Sequence, residues 1–374
     1  MTHSYAASLH MCRALELAES ALYLTSPNPR VGCVLVNADG QIIGEGHTQR
    51  AGEAHAEVMA LRDAAARGYL LAGRLPEGAT AYVTLEPCSH QGRTGACSTA
   101  LIHSGVRRVV AAQEDPNSLV AGQGFAALRN AKITVEIGDG AQEAHELNIG
   151  FFKRMTTGAP WVRMKVAASL DGFTALPNGV SQWITGVEAR TDGHTWRARA
   201  CAVLTGIGTV LADNPRLDVH AFATPRQPIL VVVDSQLETP LDAQLWSPTT
   251  PTREIWIYCA STDKRKAKAL QAKGAVVICL PNAHGKVDLG ALILDLGKRQ
   301  INEVHVEAGF KLNGSLWREG LVDELLLYQS PQLLGSGMGI ANIGIFEKLT
   351  KTPKLKFHSV IEIATDIRIL ARKI

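Results

Sequence analysis

The chain has 374 residues, 46% of them hydrophobic and 20% charged, which excludes a disordered polypeptide and, at ~100–200 residues per domain, predicts two or at most three domains. With 38 Lys+Arg against 35 Asp+Glu the formal charge is +3, too balanced to call for nucleic acid or a membrane surface as partner. No apolar run reaches the ~18 residues of a membrane span, and the start, Met1-Thr2-His3-Ser4-Tyr5, lacks the basic and apolar parts of a secretory signal.

Met11, Leu15, Ala18 and Leu22 recur at helical spacing and predict an amphipathic helix over 8–24. Two strands, 31–36 and 41–46, flank Asn37-Ala38-Asp39-Gly40 and form a hairpin. Residues 55–67 read as a helix stopped by Gly68. A short strand, 81–85, runs into the Pro/Cys/Gly-rich stretch 86–97. Strands at 107–112 and 132–137 bracket a helix at 125–130, and one helical stretch covers 141 to about 154. Thr156-Thr157-Gly158-Ala159-Pro160 then breaks the chain, and the domain boundary is placed there.

A second alternation follows. Strands are predicted at 162–168, 202–205, 229–233, 255–259, 276–280 and 303–307, with helices at 187–199, 264–273 and 289–298. Strands alternating with helices argue for α/β sheets covered on both faces. There is no internal repeat, so two different chemistries are open to the two halves.

His55-Ala56-Glu57 opens a predicted helix, Glu86-Pro87-Cys88 follows a predicted strand, and Cys97 stands at a second helix start. One imidazole and two thiolates suit Zn²⁺, with a fourth position left for water, whose pKa the ion lowers toward neutrality. Glu57, two residues from His55, is suited to move a proton from water to a leaving amine. His-x-Glu followed by Pro-Cys-x-x-Cys is the signature of zinc nucleobase deaminases, although here the second cysteine comes nine positions after the first. For a lone histidine or cysteine, a surface or core role is the better reading; the ordered set carries the signal. The seven cysteines form an odd count without a dense framework, so reduced thiols in a cytoplasmic protein are expected. Cys12, Cys33, Cys201, Cys259 and Cys279 sit in apolar patterns and are expected to be buried, whereas His3 and His10 read as surface residues.

Pro27-Asn28-Pro29-Arg30-Val31-Gly32, Gly44-Glu45-Gly46-His47, His55-Ala56-Glu57, the run from Leu85 to Thr94, Asp115-Pro116-Asn117 and Leu119-Val120-Ala121-Gly122 resemble the bifunctional riboflavin-biosynthesis deaminase–reductase family. The long spacing to Cys97 matches that family. The resemblance implies an N-terminal cytidine-deaminase-like three-layer α/β/α domain over 1–155, with His55, Cys88 and Cys97 as zinc ligands and Glu57 as catalytic residue. It also implies that Asn28, His47, His90 and Arg93 hold the substrate, His47 near the pyrimidine and Arg93 near its phosphate. Gly95-Ala96 departs from the two prolines usual before Cys97.

From residues alone the second half is less telling. Gly206-Ile207-Gly208-Thr209 is half of a dinucleotide motif and reads better as a tight turn. Lys165 and Arg197 could bind phosphate or lie on solvated faces. Trp183 could stack on a nicotinamide, with a core position the better reading, and Gly335-Ser336-Gly337-Met338-Gly339 could approach a pyrophosphate or form a flexible turn.

The stretches Val162 to Gly172, Ser181 to Gly186, Gly206 to Val210, Ala212 to Pro215, Val306 to Gly309 and Gly320 to Glu324 are similar to the reductase half of the same family. That half is dihydrofolate-reductase-like and would occupy 160–374. The resemblance implies NADPH contacts at Ala167, Trp183, Thr209, Asp213, Ser235 and Gly309. Around the ribose phosphate it places Lys165, Ser181, Thr185, Arg197, Leu217 and Glu307. The expected activities are zinc-dependent deamination of a diaminopyrimidinone ribosylamino phosphate, then NADPH-dependent reduction of its ribosyl group to ribityl, in a homo-oligomer (dimer or tetramer) with neither nucleic-acid nor membrane partner. Phe173 stands where Lys or Arg is usual, and Val219-His220 where an arginine grips the phosphate. His220 is therefore expected to contact that phosphate, with Arg216 or Arg226 as the alternative source of charge. Two rival readings are a nucleic-acid base deaminase, which leaves the second half unexplained, and a structural zinc module, which normally has four protein ligands where three can be placed.

Overall fold

The structure, a computed structural model, describes residues 7–89, 95–117 and 121–374. The chain divides into two compact units, Met1–Gly158 and Ala159–Ile374, and Gly158 stops the preceding helix in a left-handed conformation (φ 75°).

The first unit runs α1 (Leu9–Ser20), β1 (Gly32–Val36), β2 (Ile42–His47), α2 (Ala56–Ala66), β3 (Thr80–Val83), α3 (Cys97–Ser104), β4 (Arg108–Ala111), α4 (Gln123–Asn130), β5 (Thr134–Ile137), α5 (Ala141–Leu147) and α6 (Ile149–Thr157). Its sheet has the order β2-β1-β3-β4-β5, with β1 antiparallel to both neighbours and β3, β4 and β5 parallel. Met11 and Ala14 of α1 and Ala144 of α5 pack on one face, against Val34, Val36 and Val110. Ala56, Ala60, Leu101, Phe125 and Phe151 cover the other face together with Cys33, Leu35 and Val83. β1 is therefore buried along its whole length, as its apolar run requires. α2 lies directly on β2 because Gly44 and Gly46 have no side chains there; a Cβ would stand 2.4 Å from the Ala60 carbonyl oxygen and 2.5 Å from its nitrogen.

Two helices differ from the sequence expectation. α1 ends at Ser20 rather than 24, its N-cap being Ser8, whose Oγ accepts from Met11 N. The single helix expected over 141–154 is two, separated at Asn148 (φ −113°, ψ 20°). Asn148 leaves the helical path because its amide pairs reciprocally with the Arg30 backbone, 2.8 Å each way, while Arg30 Nη1 donates to Leu147 O at 2.6 Å. The corner thereby fastens the segment 28–31 that leads into β1.

The second unit contains β6 (Trp161–Ala168), β7 (Phe173–Ala175), α7 (Val187–Arg199), β8 (Ala202–Gly206), α8 (Ile207–Asp213), β9 (Ile229–Val233), β10 (Ile255–Cys259), α9 (Lys264–Ala272), β11 (Ala275–Cys279), α10 (Leu289–Lys298), β12 (Glu303–Val306), α11 (Phe310–Arg318), β13 (Glu324–Gln329), β14 (Met338–Gly339), β15 (Leu355–Ile363) and β16 (Asp366–Lys373). Nine strands form one sheet, β11-β10-β9-β8-β12-β6-β13-β16-β15, parallel from β11 to β13 and closed by an antiparallel hairpin; β7 and β14 pair separately. Val162, Leu204, Val231, Leu292 and Val306 build the core on one face, and Val203, Leu230, Val232 and Ile257 the core on the other. No described helix is long and apolar enough to cross a membrane. Cys33, Cys201 and Cys259 are buried as expected, but Cys12 and Cys279 are exposed: Cys12 lies on the outer side of α1, and Cys279 on the edge strand β11.

Candidate functional site

In the first unit, three chain segments meet at one end of the sheet. Gly32 opens β1 opposite His47, the last residue of β2, and Thr84 follows β3 with its nitrogen on Gly32 O (3.1 Å). Asn28 precedes that junction, its nitrogen donating to Thr25 O at 2.7 Å. His47 Nδ1 lies 3.1 Å from Thr48 O. Past Thr84, the chain carries Cys88 into contact with two helix starts. His55 is the N-cap of α2 and Cys97 the first residue of α3. Cys97 N donates to Cys88 Sγ (3.4 Å), and Ser98 N and Oγ hold Cys88 O (3.1 and 3.0 Å).

The ligand atoms of His55, Cys88 and Cys97 all lie within 4.8 Å of one another. His55 Nδ1 is 3.3 Å from Cys97 Sγ and 3.7 Å from Cys88 Sγ. A tetrahedral zinc with Zn–N ~2.0 Å and Zn–S ~2.3 Å requires N···S separations of about 3.6 Å, which the two distances from His55 bracket. Between the two thiols, Cys97's hydrogen bond, with His55 adding to it, holds Cys88 below the usual thiol range, and Cys97 is raised in consequence. Glu57, in the first turn of α2, is 3% exposed. Burial, reinforced by the charge at Cys88, pushes its carboxyl up to about 7. A group poised there gives and takes protons near neutrality. His90 and Arg93 lie outside the described residues, as does His3; His10 is half-buried, with Nε2 3.1 Å from Gly40 O.

One residue of this site escaped the sequence reading. Glu86 is 6% exposed, and its carboxylate accepts four backbone N–H groups, from Asp115 (3.1 Å), Gly122 (2.9 Å), Gly124 (2.8 Å) and Phe125 (3.2 Å). Gly124 and Phe125 belong to the first turn of α4, whose N–H groups have no helical partner. Glu86 thus ties the peptide two residues before Cys88 to the start of a helix. The signal was present in Leu85-Glu86-Pro87-Cys88, a carboxylate beside a ligand, with Gly122 and Gly124 far along the chain.

The second unit holds a cavity of about 1380 Å³ at the carboxyl ends of β6, β8, β9 and β12, where open α/β sheets bind ligands. Lys165, Ala167, Ser181, Trp183, Arg197 and Thr209 line it, as do Asp213, Leu217, His220, Ser235, Glu307 and Gly309. Thr185 does not; it is buried, and its carbonyl accepts from Arg190. Trp183 is 69% exposed, which corrects the expected core position: the indole lies against the Arg190 guanidinium, 4.4 Å from its ring centre. Gly206 to Thr209 is not a tight turn but the passage from β8 into α8. Lys165 and Arg197 are not on solvated faces. Arg197 grips Glu307 through Nε and through Nη2 (2.9 Å), and Lys165 Nζ is 3.7 Å from the same carboxylate. Burial opposes the Glu307 charge, yet Arg197 and Lys165 hold it well below the usual carboxylate range. Burial likewise lowers Lys165.

His220 Nδ1 lies 2.8 Å from Asp218 Oδ1, and its ring meets His194 edge-on at 4.3 Å. Asp218, despite burial, is held down to about 2 by Arg216 and His220. Burial, then the Arg197 charge, pushes His194 down to about 4. Arg216 lines the cavity but is turned onto Asp218 (2.6 Å), and Arg226 donates to the Ala198 and Ala200 carbonyls.

The donor set fits NADPH. Gly309 caps α11 without a side-chain hydrogen bond, so the helix N-terminus opens on the cavity, as an anion requires. The exposed Trp183 offers a flat apolar face.

Residues 5–113 match the family described as the cytidine and deoxycytidylate deaminase zinc-binding region, and residues 160–369 the RibD C-terminal domain. The riboflavin biosynthesis protein RibD of Escherichia coli (strain K12) is 45% identical over 372 residues, 96% of this chain and 97% of that one. RibD of Aquifex aeolicus is 38% identical over 365 residues, covering 97% and 98%. The solved structure of Acinetobacter baumannii RibD (form 1) matches with a TM-score of 0.86 at 42% identity, over 98% of each chain. A Thermotoga maritima structure, described as a diaminohydroxyphosphoribosylaminopyrimidine deaminase/5-amino-6-(5-phosphoribosylamino)uracil reductase, matches at 0.85 and 31% identity, again over 98% of each.

Proposed function

The chain belongs to the RibD family of bifunctional riboflavin-biosynthesis deaminase–reductases, and on that premise we propose that residues 1–155 carry the deamination and residues 160–374 the reduction. The protein is a deaminase and a reductase with a zinc-binding deaminase domain. The observation that carries the division is the His55–Cys88–Cys97 cluster with Glu57 buried beside it.

His55, Cys88 and Cys97 would hold zinc, which when bound makes hydroxide available near neutral pH. A water oxygen bonds to the pyrimidine carbon bearing the 2-amino group, the carbon–nitrogen bond breaks, and ammonia leaves. Glu57 takes a proton from the water and delivers it to the departing nitrogen. Asn28, His47, His90 and Arg93 hold the substrate, His47 near the pyrimidine and Arg93 near its phosphate.

In the second unit, Ala167, Trp183, Thr209, Asp213, Ser235 and Gly309 would bind NADPH, which supplies the hydride that turns the ribosyl group into ribityl. The protein's part is positioning. Lys165, Arg197 and Glu307 form one ion-paired group on the cavity wall, so charge is fixed in place before substrate arrives. Ser181 and Leu217 complete the surroundings of the ribose phosphate, and His220, braced by Asp218, takes the position of the usual arginine. The working form is a homo-oligomer in the cytoplasm, and the edge strand β15, which exposes Phe357, Val360 and Ile361, supports self-association.

The test is to divide the chain between Gly158 and Ala159. Residues 1–158 should release ammonia with zinc, and residues 159–374 should oxidise NADPH with the deaminated substrate in the presence of a zinc chelator. Reduction that requires the first unit or zinc would contradict the division.

A further inference from the structure

The cationic groups that line the second unit's cavity differ in whether their charge is already matched, Lys311 of α11 being exposed there as well. On the β6 and β12 side, Lys165 and Arg197 face Glu307, and Arg216 faces Asp218. At the β9 end stands the turn carrying His284 and Lys286, both exposed and both lining the cavity. Neither side chain has a hydrogen-bond or ion-pair partner among the described residues.

That turn is built rather than loose. Asn282 Oδ1 accepts from His284 N (2.9 Å) and Lys286 N (3.0 Å), and Asn282 N donates to Lys286 O (2.7 Å). It is pinned to the segment after β9 by Val287 N on Ser235 Oγ (3.2 Å) and by Gln236 Nε2 on Gly285 O (3.4 Å). Ser235 Oγ is thus used as an acceptor, and its proton remains to be donated into the cavity. Of the nearby carboxylates, Asp288 is the N-cap of α10, accepting from Ala291 N (2.8 Å), and neither it nor Glu319 pairs with His284 or Lys286 among the described residues.

We propose that Ser235, His284 and Lys286 form the subsite that reads the 2′-phosphate of NADPH, the group that distinguishes it from NADH. The inference rests on the reading of this unit as an NADPH-dependent reductase. The strand order puts Ser235 after β9, Gly206 at the end of β8, Gly309 after β12 and Lys165 on β6, three inter-strand steps or about 14 Å. A dinucleotide whose nicotinamide lies at Trp183 and Lys165 passes its pyrophosphate over the α11 N-terminus and brings its adenosine to the 282–287 turn. A phosphomonoester carries close to two negative charges. An ammonium serves it as a point charge, and a turn already held in shape loses little freedom on binding.

Binding to the full chain should be measured calorimetrically, without substrate, for NADPH, NADH, adenosine 2′,5′-bisphosphate and adenosine 5′-monophosphate. The wild type should prefer each 2′-phosphorylated ligand to its partner. Lys286→Ala should weaken NADPH and the bisphosphate about tenfold, change NADH and the monophosphate less than about twofold, and Lys286→Arg should restore most of the loss. His284→Ala should act in the same sense. Equal losses for NADPH and NADH, or no loss for either, would overturn the assignment. Wild type that binds neither dinucleotide would instead overturn the cofactor reading on which the assignment rests. Unchanged thermal unfolding of the variants separates these outcomes from misfolding.

Discussion

Replacing Glu86 by glutamine should loosen the zinc site without touching a ligand. The carboxylate serves two pairs of N–H groups: Oε1 takes Gly124 and Phe125, and Oε2 takes Asp115 and Gly122. Glutamine keeps the volume and one carbonyl oxygen, but turns an NH₂ toward the second pair, donor against donor. The Gly124 and Phe125 bonds are buried, those of Asp115 and Gly122 less so, and glutamine will retain the buried pair. Two partly buried bonds to a charged acceptor are then lost, at roughly 1 kcal/mol each after water replaces part of them. A local cost of about 2 kcal/mol corresponds to about a 30-fold easier opening, small against a stability of about 5–15 kcal/mol. Glu86→Gln should therefore fold, exchange the amides of the 113–125 segment about 30-fold faster, and release zinc faster to a competing chelator. Wild-type exchange together with wild-type zinc release would refute the view that Glu86 braces the Cys88 loop.

Removing a ligand should act on the metal itself: Cys88→Ser should lose or greatly weaken zinc, and with it ammonia release, while NADPH-dependent reduction persists. In the reductase, His220 is held by Asp218 at 2.8 Å and meets the His194 ring edge-on. His220→Ala should raise the substrate KM several-fold with little change in kcat, and His220→Arg should restore most of the loss. A wild-type KM in His220→Ala would transfer the phosphate contact to Arg216.

The parallel strands were legible because burial on both faces demands unbroken apolar runs: Ile229 to Val233 and Ile255 to Cys259 were delimited to the residue. Elements whose stability comes from tertiary contacts were not. α11 contains Asn313 and Gly314, poor helix formers, yet Gly314 lets the Asn342 backbone approach so closely that a Cβ would be 2.1 Å from its carbonyl oxygen. β15 is an edge strand with most residues exposed, so its sequence shows no buried face. The Asn148 corner depends on Arg30, far away along the chain, and helical periodicity runs straight through it.

The site divides in the same way. His55, Glu57, Cys88 and Cys97 could be picked out because zinc chemistry restricts residue type and spacing together. Trp183 was misjudged because indoles are usually buried, and only the cavity gives an exposed one a purpose. Glu86 was overlooked because its partners are backbone N–H groups, which leave no trace in residue type.

The central claim is that Glu57 moves the proton in a zinc site that is chemically separate from the reductase. It is tested most directly by Glu57→Gln in the full chain, with ammonia release, zinc content and NADPH oxidation on the deaminated substrate measured on one preparation. Zinc content and NADPH oxidation should stay at wild-type levels while ammonia release falls by at least about a hundredfold. Ammonia release near the wild-type rate, or zinc lost along with it, would contradict the account.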